Sequence, residues 1–450
     1  MTAPPDPRRR SGAPLWPPLA AEPAHCWPRA ADDRAGVAAL RRPPGQPDTP
    51  ASLGRALKHA KVLANALDRP VTPGNRVELL LDGPATHGAM REAIEQAQDH
   101  INLESYIVEA DGPGRELLEL LVTKRREGVR VNVLYDGFGS LRGREQFAEP
   151  LRRAGAQLCE FNPLVPWRRR LPRAFHLRDH RKLLVVDGRV AFTGGVNISS
   201  VYATGPSATL RGSAETRSPD EVPWRDTHVR IEGPVVASLQ RLFLDHWQKE
   251  TGRPAQAARY FPALRPTGEH HVGVAACEAG RGRNPFHRAL REAIDAAEER
   301  VWLTAAYFVP PRRLVRSLMR AAARGVDVQV VVPSVSDAPV VLYAGRASYG
   351  RLLRAGVRLH ERRDALLHSK TAVIDGVWAA VGSSNLDWRS VLHNAEANVV
   401  VLDEGFAQGL EAVFRDDVAR SRTLDARSWH RRGWRRRLLE WVAARFEYFL

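Results

Sequence analysis

The chain repeats itself, and the repeat limits what it can fold into more than any other feature. Arg91-Glu92-Ala93-Ile94 recurs as Arg291-Glu292-Ala293-Ile294. Met90, Ala93, Ile94, Ala97 and Ile101 are spaced along one helix face, as are Leu290, Ala293, Ile294, Ala297 and Val301. Each helix leads into a strand-like run, 101–108 in the first copy and 301–309 in the second. The stretch 126–131 is then answered by 324–328, and 151–155 by 352–356. Four matched elements in one order imply duplication. Helices alternate with strands in both copies, which predicts α/β halves with largely parallel sheets.

Each half ends in the same constellation. The first is His180, Lys182 and Asp187, followed by Gly194-Gly195-Val196-Asn197; the second is His368, Lys370 and Asp375, followed by Gly382-Ser383-Ser384-Asn385. Every spacing from His to Asn is the same. The chain holds 15 His, 6 Lys and 24 Asp. Random placement of these gives about 0.01 matches to His-x-Lys-x4-Asp, and two occur at equivalent places in a repeat. Arginine outnumbers lysine about tenfold, yet both motif positions use lysine.

Lys182–Val186 reads as a buried strand, Asp187-Gly188 as a turn, and 190–192 as the start of the returning strand; Asp375-Gly376 repeats the pattern. Residues i and i+2 share a strand face, so each His points with its Lys. Asp187 and Asp375 belong to the motifs, but at the turn they are expected to stabilise it rather than touch substrate. Two halves packed face to face would offer two imidazoles and two ammonium groups to one pocket. That set suits a phosphodiester: lysines hold phosphoryl oxygens, one His attacks phosphorus and the other moves the proton. No carboxylate cluster marks a metal site, so chemistry without metal or other cofactor is expected.

These motifs resemble the paired HKD signatures of the phospholipase D superfamily over roughly Asn75 to Leu424. The resemblance implies two duplicated α/β/α sandwich domains packed with pseudo-two-fold symmetry around one active site, and a covalent phosphohistidine intermediate. By analogy the nucleophile is His180. Asn197, Ser383 and Asn385 extend the motifs, and Gly195 stands where the first copy lacks the serine. Family members also orient each His with an acidic residue, and that pattern places Asp226 behind His180 and Glu396 behind His368. The stretch 224–234 and the neighbourhood of His368 to Asn398 look like bacterial cardiolipin synthases of the short type without N-terminal membrane helices. This implies transfer between two phosphatidylglycerol molecules with release of glycerol. Three alternatives stay open: hydrolysis to phosphatidic acid, a superfamily nuclease, and a non-enzymatic lipid binder. Nucleases of this type are often single-motif dimers, and relics tend to lose a His or Lys, whereas both motifs are complete here.

The formal charge of +16 calls for an anionic partner. With the resemblance, that partner is an anionic phospholipid, phosphatidylglycerol, at a membrane surface; no nucleic acid and no obligate protein partner are expected. No apolar run reaches the roughly 18 residues of a membrane span. The three cysteines, Cys26, Cys159 and Cys277, form no disulfide or zinc pattern. A peripheral protein on the cytoplasmic face of the bacterial membrane is expected.

The expected divisions are a basic, Pro- and Arg-rich, partly disordered segment (1–70), a first domain (71–258), a second (259–425) and a basic amphipathic C-terminal helix (426–450). A short helix over 51–66 would carry Arg55, Lys58 and Lys61 on a charged face. The C-terminal helix mixes Trp434, Leu438, Leu439 and Trp441 with Arg435, Arg436 and Arg437, which fits either a membrane interface or a terminal helix with a solvated basic face. The run 167–173 could bind headgroups, rim the site or be an ordinary basic loop. His270 and His271 read as surface residues pointing apart on a strand.

Overall fold

A computed structural model describes residues 50–67, 70–164, 174–205 and 222–448 of the protein. The expected disorder before residue 50, Cys26, the basic run 167–173 and most of the polar loop before Asp226 lie outside the described residues.

The strands of the first half are β1 (Thr72–Leu81), β2 (His100–Ser105), β3 (Arg130–Asp136), β4 (Gln157–Phe161), β5 (Lys182–Val186), β6 (Val190–Gly194), β7 (Trp224–Arg225) and β8 (Thr227–Glu232). Those of the second are β9 (His270–Cys277), β10 (Arg300–Ala305), β11 (Asp327–Pro333), β12 (Arg358–Arg362), β13 (Leu366–Leu367), β14 (Lys370–Ile374), β15 (Trp378–Gly382), β16 (Glu396–Leu402) and β17 (Ser421–Thr423). Fifteen of them form one sheet, ordered β17-β12-β11-β10-β14-β15-β16-β9-β1-β8-β6-β5-β2-β3-β4. Outward from β1 and β9 the two sides have the same order, with β17 added at one edge. β1 and β9 pair antiparallel, Thr72 opposite Val272 and Asn75 opposite His270. An antiparallel seam is what a two-fold axis normal to the sheet requires.

The helices are α1 (Pro50–Ala66), α2 (Asp82–Glu95), α3 (Gly112–Arg126), α4 (Arg144–Arg153), α5 (Val236–Thr251), α6 (Pro285–Ala296), α7 (Arg312–Ala323), α8 (Pro339–Arg354), α9 (Trp388–Leu392), α10 (Glu404–Ala419), α11 (Ala426–His430) and α12 (Trp434–Ala444). Their apolar faces make three main cores. Leu117, Leu121, Phe147 and Leu151 pack on one face of the first half, and Leu290, Ile294, Leu318 and Leu352 on the matching face of the second. The third core spans both halves: Leu239, Phe243 and Trp247 of α5 share it with Phe406 and Leu410 of α10. The result is three layers, helices on both sides of the sheet. α1 precedes the first half in sequence but packs on the second. Ala60 and Leu63 join the core of α6, Arg55 pairs with Glu299 at 2.8 Å, and Lys58 with Glu298 at 2.7 Å.

Three expectations need correction. The sheet is mixed: within it β2-β3-β4 and β10-β11-β12 run parallel, and the other pairings are antiparallel. Helical crossovers link β2 to β3, β3 to β4, β10 to β11 and β11 to β12, whereas each motif strand, β5 or β14, is joined to the next by a tight hairpin, which forces antiparallel pairing. His271 is buried, and His270 is half-buried with Nδ1 accepting from the Val77 amide at 2.9 Å. The C-terminal segment is two helices, α11 and α12, separated at Gly433.

The two Asp-Gly hairpins hold each half together. Asp187 and Gly188 have φ of 51° and 62°, and Asp375 and Gly376 have 51° and 67°. Positive φ at both central residues is the backbone of a type I′ turn, whose twist matches the flanking strands. The Asp187 carboxylate accepts the amides of Gln98, Asp99 and His100 at 2.8 to 2.9 Å. Asp375 accepts those of Glu298, Glu299 and Arg300, and also meets His59 Nε2 of α1 at 2.9 Å. Each aspartate therefore ties its hairpin to the entry of the neighbouring strand, β2 or β10. Burial alone would raise the Asp375 carboxyl, but His59 and the three amides hold it down at about 2. Asp187→Ala and Asp375→Ala should each cost about 2 kcal/mol in urea unfolding, because three amides lose their acceptor and alanine enters positive φ. Asp375's contribution is complete above the ordinary carboxyl value of 3.8 and should be lost as pH falls towards about 2.

Candidate active site

Both motif histidines are held by backbone from the opposite half. Residue 179 bridges 395 in parallel; the His180 amide donates to the Ala395 carbonyl at 2.9 Å, and the Ala395 amide to the Arg178 carbonyl at 2.9 Å. On the other side of the axis β13 pairs with β7, and the His368 amide donates to the Arg225 carbonyl at 2.8 Å. Each histidine thus runs beside the residue that precedes the other half's acid. Glu396 Oε2 lies 3.1 Å from His180 Nδ1, and Asp226 Oδ2 lies 2.7 Å from His368 Nδ1. The acids are exchanged between halves. The expected pairing, Asp226 behind His180 and Glu396 behind His368, is corrected to its opposite.

The exchange explains why Gly195 stands where the second copy has Ser383. In the second copy Ser383 Oγ donates to Glu396 Oε2 at 2.5 Å and Ser390 Oγ to Oε1 at 2.7 Å. In the first copy a Cβ on Gly195 would sit 2.0 Å from Asp226 Oδ1. The shorter aspartate occupies the space of the missing side chain. His368 gains a further contact, Tyr202 Oη at 3.1 Å, and Asn197 Nδ2 donates to that hydroxyl at 2.9 Å.

His180 and His368 line one cavity of about 300 Å³, with Tyr106, Asn197, Tyr202, Trp224, Tyr307 and Asn385 among its walls. Lys182 Nζ donates to the His180 carbonyl at 2.8 Å and lies 5.2 Å from the Tyr106 ring centroid; Lys370 Nζ donates to the His368 carbonyl. Burial pushes Lys182 down to about 7 and Lys370 to about 8. Burial, reinforced by Lys182, lowers His180 to about 4. Burial and Lys370 take His368 well below its ordinary value, while Asp337 pulls it the other way. Burial also raises Asp226, whereas for Glu396 it is outweighed by His180 and the Ser383 hydroxyl, which hold that carboxyl low. Both imidazoles are therefore neutral near pH 7 in the open pocket. With Nδ1–H donated to a carboxylate, Nε2 keeps its lone pair.

Asp187 and Asp375 do not line the cavity. They stand at the far ends of β5 and β14, five residues or roughly 16 Å beyond the motif lysines. Their place is that of turn residues, so the motif aspartates are structural and not members of the reacting set. Tyr106, Tyr202, Tyr307, Arg178, Asp337 and Arg389 reach the cavity without having been singled out in the sequence. Tyr106 and Tyr307 each lie one or two residues past the carboxyl end of a strand, where α/β sheets place ligands, and that rule could have found them. Beneath the site, Glu104, Asp179 and His246 bring three metal-capable groups within 4.8 Å of one another. Arg181 Nη1, 3.4 Å from Glu104, already supplies a cation there.

A family profile described as cardiolipin synthase, PLD-like domain, matches residues 90–204 and 290–418. Cardiolipin synthase A of Pseudomonas fluorescens is 36% identical over 356 residues, covering 78% of this chain and 70% of that protein. The cardiolipin synthase of Halalkalibacterium halodurans is 32% identical over 376 residues, covering 83% and 72%. The crystal structure of phosphatidylserine synthase from Haemophilus influenzae shares the fold at 14% identity, with a TM-score of 0.60 over 87% of this chain and 100% of that one. With both repeats matched, and with relatives above 30% identity across most of its length, the chain belongs to the cardiolipin synthase family of phospholipase D-like proteins.

Proposed function

We propose that the protein is a cardiolipin synthase, transferring a phosphatidyl group from one phosphatidylglycerol to another and releasing glycerol. The observation that carries this reading is one cavity lined by both His180 and His368, each backed by a carboxylate from the opposite half. His180 Nε2 attacks phosphorus, and the bond from phosphorus to the glycerol oxygen breaks. His368 protonates that oxygen as glycerol leaves. It then takes the proton of the acceptor's hydroxyl, whose oxygen attacks phosphorus and frees His180. Two phosphatidylglycerols give one cardiolipin and one glycerol.

The surroundings suit this division of labour. His368 lies near two carboxylates, Asp226 and Asp337, which favour an imidazolium once a phosphodiester offsets the lysine charge. His180, held near 4, stays unprotonated and nucleophilic. Lys182 and Lys370 act on the phosphoryl oxygens as point charges. Asn197 and Asn385 line the cavity, Ser383 fixes Glu396, and no step calls on a metal. The protein would work peripherally on anionic phospholipid at the cytoplasmic face of the membrane, without nucleic acid.

The test is lipid mass spectrometry after incubation with phosphatidylglycerol vesicles in EDTA. Cardiolipin and glycerol in equal amounts are expected, with His180→Ala and His368→Ala each lowering the rate about a thousandfold or more. Phosphatidic acid alone would make it a hydrolase, and nucleic-acid cleavage without lipid turnover a nuclease. Lysine charge is present below each lysine's value and lost above it. kcat/KM should therefore fall on the acid side below about 4, where His180 protonates, and fall as pH rises through about 7 to 8.

A further inference from the structure

Helix α12 is inside out for a helix on a protein surface. Its buried residues are Glu440 and Ala443, while Trp434, Leu438, Leu439, Trp441 and Val442 are 43 to 69% exposed. On a helical wheel Trp434, Leu438 and Trp441 fall within about 60° of one another, opposite the buried side. An amphipathic helix packed for water would show the reverse. The orientation is fixed. Arg432 Nη2 donates to Glu440 Oε2 at 3.1 Å, and its guanidinium lies 3.2 Å from the Trp429 ring centroid. Trp429 stacks on Tyr349 of α8 at 5.3 Å, and Ala443 packs with Val341 and Ala344 of the same helix.

That docking puts the C-terminal end of α12 beside residues of the cavity. Val341 and Ala338 line the cavity. Beyond α12, the Tyr448 ring lies 5.1 Å from His393, next to the cavity residue Asn394. In the first half, the half-exposed Phe138 lines the cavity and meets the half-exposed Phe175 at 6.1 Å, with the Arg178 guanidinium over both rings. Arg435, Arg436, Arg437 and Arg445 are exposed on α12 and its end, whereas Glu440 is turned inward and Glu447 is half-buried, so the exposed charge is mainly positive.

We propose that α12 and the Phe138–Phe175 rim together form a docking face for an anionic phospholipid bilayer, which lays the cavity mouth on the lipid surface. The inference rests on the reading of the cavity as a phosphatidyl transfer site. Tryptophan and leucine enter the headgroup region while arginines meet lipid phosphates. One contact comes from each half, so the mouth is held flat against its substrate.

The full chain would be cosedimented with vesicles of equimolar phosphatidylglycerol and phosphatidylcholine, and with phosphatidylcholine alone. Wild type is expected to prefer the anionic vesicles. A Trp434→Ser, Leu438→Ser, Trp441→Ser variant should lose about tenfold or more in partitioning, and Phe138→Ser with Phe175→Ser should lose binding in part. Turnover of monomeric dihexanoyl phosphatidylglycerol by the triple variant should match wild type, which also shows that it is folded. Unchanged vesicle binding in the triple variant would overturn the proposal. So would a wild-type dimer that the triple substitution dissociates while vesicle binding persists, since the face would then belong to a second copy. Lost vesicle binding with no cardiolipin from either protein on any substrate would uphold the docking face and sink the transfer reading.

Discussion

Two pairs of backbone strands crossing the pseudo-two-fold axis set everything that happens in the cavity. They join 178–180 to 394–396 and 224–226 to 366–368. Because the amide of each histidine is bonded to a carbonyl next to the other half's acid, imidazole and carboxylate cannot drift apart without breaking a sheet-like contact. Both lysines are buried beside these pairings' histidines, and burial is what brings their ammonium groups down to about 7 and 8 and keeps the imidazoles neutral. Geometry and protonation state have one cause.

The continuous sheet gives this arrangement its stiffness. β1 and β9 join the halves by ladder bonds, and the core under α5 and α10 draws residues from both. A cleft between two independent domains could open on a hinge. Here the walls of the cavity are fixed to one slab, so lipid enters and leaves through the mouth and not by separation of the halves.

Much of this was legible in the sequence. The repeat gave the two-fold architecture, and the motif spacing, together with lysine in an arginine-rich chain, marked His180, Lys182, His368 and Lys370. The Asp-Gly pairs announced their turns because only that chemistry tolerates positive φ at both positions. What stayed hidden was long-range. Nothing near Asp226 or Glu396 says which half's histidine it will face, since the crossing is made by two-residue pairings too short to leave a periodic signal. Gly195 looked like a lost contact until the Asp226 carboxylate was found in its place. The parallel sheet was over-predicted because helix–strand alternation was read across hairpins. Tyr106 and Tyr307 were legible only from their place just past strand ends, and Tyr202 is a single residue without a pattern of its own.

The position of α1 has a consequence for how the chain is made. It is translated before the first half, yet its apolar face, with Ala60 and Leu63, fits the core around α6, more than two hundred residues later. While the ribosome completes the first half, that face has no partner, and His180 waits for Glu396. Contacts this distant in sequence close slowly, so α1 and the His180–Glu396 pair cannot complete their packing until the second half emerges. The order of synthesis thereby keeps the two histidines from being assembled, and lipid chemistry from starting, until most of the polypeptide exists.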